Sequence, residues 1–328
     1  MKGDHIMPLI DMPLKELLEY RGVNECPKDI DAFWDEGIAE MEKLGTDYEL
    51  VPTEFQVPGA ECYHLYFTGV GGSRIHCYFV KPANLKGKIP AIAFFHGYAG
   101  HRGDVSNFLG WVTAGMCCAA MDCRGQGGLS EDLGSVRGNT YKGQIIRGLA
   151  ENDPKKLYYR NVFLDTAQLV RILQHMEFVD ETKVGAYGGS QGGGLTLACA
   201  SLCPTLNRAA SQFPFLSDYR RVWDMDLDVD AYEELREYFR LYDPLHEHED
   251  ETFSLLGYID IHNMTHRVKS KVRMYTGLMD TVCPPSTQFA AYNAITSEKD
   301  YVIYPDYGHE GMPHHMENVM MYMCEMLK

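Results

Sequence analysis

The run Gly188-Gly189-Ser190-Gln191-Gly192 limits what this chain can fold into more than any other stretch, because of what flanks it. Residues 182–187 before it are short and apolar, suited to a buried strand, and residues 192–200 after it read as a buried helix. A strand, a sharp turn and a helix in succession lift the serine out at the top of a sheet. The turn closes only around small neighbours, which Gly188 and Gly192 supply. Gly-x-Ser-x-Gly by itself is an ordinary loop sequence; in this setting it reads as an elbow presenting a nucleophile.

The rest of the chain supplies a sheet for such an elbow. Segments 62–67, 74–80, 90–95, 116–121, 207–212, 272–276 and 301–304 read as strands, and 158–176, 287–294 and 316–327 as helices. Strands alternating with helices imply an α/β fold, a mostly parallel central sheet with helices on both faces. Residues 14–20 and 30–44 read as helices of an N-terminal extension, about 1–45, clasping the outside of the core. Residues 213–267, acidic, aromatic and helical in pattern, break the alternation and read as an insertion over the active-site end. No repeat or low-complexity linker divides the 328 residues, so a single domain is expected, long enough for a large core.

An activated serine needs a base to take its proton and a carboxylate to orient that base. On sheets of this kind the chain order is serine, acid, histidine, each on a loop after a strand. Asp280 follows the strand at 272–276 and His309 the strand at 301–304, at the carboxyl ends where open α/β sheets bind ligands. Taken singly, either residue reads equally as a turn or cap; their joint position behind the elbow selects them. Asp306 is a rival acid, but it reads as part of the turn Pro305-Asp306-Tyr307-Gly308. Amides that receive the charge of a tetrahedral intermediate are expected from Gln191 and from the loop His96-Gly97-Tyr98-Ala99-Gly100.

Composition narrows the partners. A formal net charge of −16 argues against nucleic acid and against anionic membranes. No run approaches the roughly 18 apolar residues of a membrane helix, and the N-terminus lacks a signal core, so a cytoplasmic location is expected. Ten scattered cysteines without a Cys-x-x-Cys pair read as reduced, mostly buried thiols. Residues 1–6, ahead of Met7, read either as an upstream extension or as residues not native to the chain. The loop at 122–128 lacks the Gly-Lys-Ser/Thr ending of a phosphate loop, and His309 to His314 miss the zincin spacing and include Pro313. His262 and His266, with no acidic partner implied, read as a surface or packed pair, and residues 246–251 as a solvated acidic turn.

Together, His96-Gly97-Tyr98, Arg124-Gly125-Gln126-Gly127, the Ser190 elbow and His309-Glu310 resemble carbohydrate esterase family 7, the acetyl xylan esterases and cephalosporin-C deacetylases. Residues 156–160, 279–287 and 289–293 are similar as well, and the resemblance runs from about Pro13 over nearly the whole chain. The arginine–glycine–glutamine–glycine loop is its most specific marker. The resemblance implies an α/β-hydrolase fold with Ser190, Asp280 and His309 as triad and the amides of Tyr98 and Gln191 as oxyanion hole. It implies that Arg124 and Glu310 are structural, bracing the loop that carries the histidine, with Gly125, Gln126 and Gly127 in the same motif. It further implies no cofactor and a cytoplasmic homo-hexamer, a trimer of dimers around an inner chamber. Such a chamber favours small acetylated sugars over polymeric xylan. Leu129 stands where the family often has serine, and the variable 213–267 segment leaves the choice among acetyl esters open. The rival readings are a general short-chain carboxylesterase, a compact peptidase of the same fold, and a non-enzymatic binding protein.

Overall fold

The computed structural model describes residues 10–136 and 144–328; residues 1–6 lie outside them. Nine strands form one sheet: β1 Tyr48–Pro52, β2 Ala60–Thr68, β3 Arg74–Pro82, β4 Ile89–Phe95, β5 Cys117–Met121, β6 Val179–Gly189, β7 Arg208–Gln212, β8 Lys271–Gly277 and β9 Lys299–Tyr304. Their order is β1-β2-β3-β5-β4-β6-β7-β8-β9. The pairs from β5 to β9 are parallel, and β1, β2 and β3 join antiparallel at one edge. This is the mostly parallel sheet with helices on both faces expected above.

Side-chain alternation in β4 divides the core. Ala91, Ala93 and Phe95 point into one layer with α2 (Ile30–Glu42), α4 (Tyr158–His175) and α5 (Gln191–Leu202). Ile92 points into the opposite layer with Trp111 of α3 (Leu109–Thr113) and Met323 of α10 (His315–Cys324). Every residue of β5 is buried, as befits a strand covered on both faces. α5 is also buried from end to end, so it needs no polar face.

Local chemistry moves several boundaries. The helix expected over 14–20 is one turn, α1 (Leu14–Leu17), because Asn293 Nδ2 takes the carbonyls of Leu17 and Tyr20 and turns the chain there. β1 was not anticipated; as an edge strand it is mostly exposed and shows no apolar alternation. The closing helix stops at Cys324 and ends in a tighter turn, Glu325–Leu327. Between β7 and β8 lie α6 (Tyr219–Asp224), α7 (Glu233–Tyr242) and α8 (Glu249–Leu256), with short single turns; α9 (Pro285–Ala294) follows β8. Among the described residues no helix is long and apolar enough to cross a membrane.

Candidate active site

Ser190 sits between the end of β6 and the start of α5 at φ 58° and ψ −120°, a backbone conformation that side chains rarely adopt. The strain is held by its neighbours. Ser190 N–H donates to Gln212 O on β7 at 3.0 Å. A Cβ on Gly188 would lie 2.5 Å from Phe95 O, and one on Gly192 2.0 Å from the same oxygen. The elbow therefore packs backbone to backbone against the end of β4, and only glycine fits at either flank.

β8 and β9 bring the other two residues to the same end of the sheet. His309 Nε2 lies 2.9 Å from Ser190 Oγ, and His309 Nδ1 lies 2.9 Å from Asp280 Oδ2. Asp280 is fully buried, and its Oδ1 accepts N–H bonds from Val282 and Cys283 at 2.9 and 2.8 Å. These donors fix the plane of the carboxylate. The Phe213 ring packs on the imidazole with centroids 4.3 Å apart. Asp306, the rival acid, is exposed in its turn.

Tyr98 follows β4, and Gln191 opens α5. Among the described residues neither N–H donates to a backbone carbonyl outside a helix or strand ladder. Gln191, as the first residue of its helix, has no intrahelical acceptor, so both amides are available to an incoming oxygen. The Gln191 side chain is buried and turned inward, with Nε2 on His96 O and Gly97 O, both at 3.3 Å.

The loop at 124–127 is tied to both of these amide-bearing segments. Gln126 and Gln191 exchange amide bonds, Gln126 Nε2 to Gln191 Oε1 at 2.8 Å and Gln191 Nε2 to Gln126 Oε1 at 3.1 Å. Gly127 N–H donates to Gly100 O at 2.9 Å. Gly125 takes φ +63°, which glycine adopts freely. Arg124 differs from expectation. It does not brace the histidine loop; its Nε and Nη2 grip Asp165 of α4 at 2.7 Å each, and Nη2 also reaches Val70 O at 3.0 Å. The reason is burial: a guanidinium buried this deeply needs a carboxylate, and α4 supplies it. Glu310 does act within the histidine loop, where its Oε1 accepts Gly308 N–H at 3.1 Å.

Three participants escaped the sequence reading. Asp165 interrupts the apolar run Phe163-Leu164-Asp165-Thr166-Ala167, and a carboxylate on the buried face of a helix was the available signal. Tyr159 OH donates to Gln191 Oε1 at 2.8 Å, and Tyr98 OH donates to Gln144 Oε1 at 2.5 Å; neither contact leaves a trace in local pattern. The expectation for His262 and His266 also changes, since both have acidic partners. His262 Nδ1 meets Asp260 at 2.7 Å inside a buried cluster with Asp218, and His266 meets Asp31 at 3.0 Å. Asp218 in turn accepts the Tyr20 hydroxyl and the N–H groups of Val23 and Asn24, so this cluster fastens the N-terminal segment to the region before β8.

Comparison with known proteins shows the family of the chain and its fold. The acetyl xylan esterase (AXE1) family matches over residues 7–326. The fold superposes on acetyl xylan esterase 1 from Thermoanaerobacterium sp. JW/SL YS485 with a TM-score of 0.94, at 53% identity over 97% of this chain and 100% of that one. It superposes on the acetyl xylan esterase from Paenibacillus sp. R4 with a TM-score of 0.90, at 35% identity over 95% and 99% of the two chains. Acetyl esterase Axe7A of Xylanibacter ruminicola is 25% identical over 286 residues, 85% of this chain; the chain spans 62% of the length of that relative.

Proposed function

Because this chain belongs to the acetyl xylan esterase family, a family of carboxylic ester hydrolases, we propose that it removes acetyl groups from acetylated sugars through an acetyl-enzyme on Ser190. The observation that carries this reading is the relay Asp280–His309–Ser190, with both contacts at 2.9 Å, beside the amides of Tyr98 and Gln191. His309 Nε2 takes the Ser190 proton as Oγ attacks the acetyl carbonyl. The oxygen that gains charge is held by the two N–H groups, each donor of this kind being worth about 2.7–4 kcal/mol. His309 then protonates the departing sugar oxygen. Water attacks the acetyl-enzyme with the roles reversed, and Asp280 stays ionised throughout, holding the Nδ1–H tautomer. The chemistry needs no metal or organic cofactor.

Small acetylated xylo-oligosaccharides are the substrates this reading favours, and the acetyl ester of cephalosporin C offers the same leaving chemistry. The resemblance to family 7 supports a cytoplasmic homo-hexamer, a trimer of dimers. We read the chain as one catalytic unit, with about 1–45 as an extension and 213–267 as an insertion.

Hydrolysis of esters from acetyl to octanoyl, with acetylated xylo-oligosaccharides in the same panel, tests the activity in wild type and Ser190→Ala. Fast acetyl cleavage that collapses in the variant is expected. Good turnover of octanoyl esters would make the protein a general carboxylesterase, and aminoacyl-amide cleavage would make it a peptidase. Activity surviving in Ser190→Ala would remove the nucleophile assignment. Light scattering reads the hexamer.

A further inference from the structure

Cys283 has no part in the reaction above, yet it stands inside the active site. It follows Asp280 on the loop after β8 and is fully buried. One donor atom each from Asp280, Cys283 and His309 lie within 4.8 Å of one another. A sulfur, an imidazole nitrogen and a carboxylate oxygen form the donor set that zinc takes, with bonds of about 2.3, 2.0 and 2.0–2.2 Å.

We propose that Asp280, Cys283 and His309 form an inhibitory site for a thiophilic divalent cation, Zn²⁺ in the first instance. This rests on the triad reading of the same residues. The ion enters between His309 Nδ1 and Asp280 Oδ2, now 2.9 Å apart and bridged by a proton. Two zinc bonds of about 2 Å need only a slightly wider gap between those atoms. Zinc takes the Nδ1 lone pair, and the ring proton moves to Nε2. Nε2 then donates toward Ser190 Oγ and can no longer accept its proton, so the base is lost without leaving its place. The Cys283 thiol gives one proton to water and binds as thiolate, which brings the charge of Asp280, the thiolate and the ion to zero. A fourth position stays open for water. His309, whose side chain is 19% exposed, marks the route of entry. Mg²⁺, which prefers oxygen donors in an octahedron, fits this set poorly.

The test uses the full chain carrying Cys26→Ser, which removes the exposed cysteine. Zn²⁺ is expected to inhibit acetyl-ester hydrolysis at one ion per chain, with EDTA restoring the rate and Mg²⁺ having no effect. Cys283→Ser is expected to need at least tenfold more Zn²⁺ for half inhibition. Co²⁺ supplies a readout independent of activity, a near-ultraviolet thiolate-to-cobalt band. That band should appear in wild type and in Ser190→Ala, and vanish in Cys283→Ser and in His309→Asn. The Ser190→Ala measurement keeps this inference separate from the esterase reading, since the band does not depend on turnover. Absence of the band in the parent protein, or equal inhibition of Cys283→Ser and parent, overturns the site. If Cys283→Ser does not fold, the His309→Asn spectrum decides.

Discussion

Replacing Arg124 with methionine is the sharpest probe of how this active site is held. Arg124 and Asp165 are each about 1% exposed and joined by two bonds of 2.7 Å. The substitution keeps most of the side-chain volume but strips Asp165 of its cation. Removing one partner of a buried pair typically costs about 3–5 kcal/mol, chiefly because the other charge is left uncompensated. Unfolding entropy of roughly 2.1 cal/mol/K per residue, over 328 residues, is about 0.7 kcal/mol/K, so the expected fall in Tm is about 4–7 °C. The decisive comparison is Arg124→Met with Asp165→Leu in one chain. With both charges gone the penalty is removed, and the double variant should recover most of the lost stability. Calorimetry or a thermal shift reads the three proteins side by side, with acetyl-ester kcat measured below the transition. Since the same loop ties Gln126 to Gln191 and Gly127 to Gly100, kcat should fall in the single variant even where it is fully folded. A Tm loss below about 1.5 °C in Arg124→Met, or a double variant no better than the single one, would refute the claim that an unpaired buried charge governs this contact.

Two further outcomes follow from single residues. Glu234 is buried, its Oε2 accepts the Ile145 and Ile146 N–H groups at 2.7 and 3.3 Å, and burial pushes its carboxyl up to about 8. Between the unfolded value of about 4.3 and that point the folded chain keeps a proton the unfolded chain has lost, so stability falls as pH rises through the window. Glu234→Gln should flatten the stability profile from pH 5 to 8 in urea titrations; an unchanged slope would place the titration elsewhere. Gly192→Ala puts a Cβ 2.0 Å from Phe95 O, backbone against backbone. It should abolish hydrolysis and lower the yield of folded protein, and a variant with wild-type kcat would show that the elbow can relax.

The residues we propose as the triad stand out in the sequence because their signals are local. The elbow is a pattern of small residues between a strand and a helix, and Asp280 and His309 each follow a strand in the order such sheets require. What holds them is not local. Asp165 lies 41 positions from Arg124, and Gln191 lies 65 positions from Gln126; the packing of α4 against the sheet brings the first pair together, and the sheet order β5-β4-β6 the second. The misassigned partner of Arg124 and the unexpected acids beside His262 and His266 share that cause. β1 went unseen because an exposed edge strand carries no alternation to read. Position also explains why residues 156–160 bear the family resemblance without carrying chemistry. Tyr158 OH donates to Arg124 O at 2.5 Å and receives Gln126 Nε2 at 3.1 Å, while Tyr159 OH reaches Gln191 Oε1 at 2.8 Å. The first turn of α4, together with Asp165 farther along it, is thus a common frame for the 124–127 loop and for Gln191, whose amide we propose as an oxyanion donor. A substitution there should act on turnover through Gln191 and Tyr98 while leaving Ser190, His309 and Asp280 in contact.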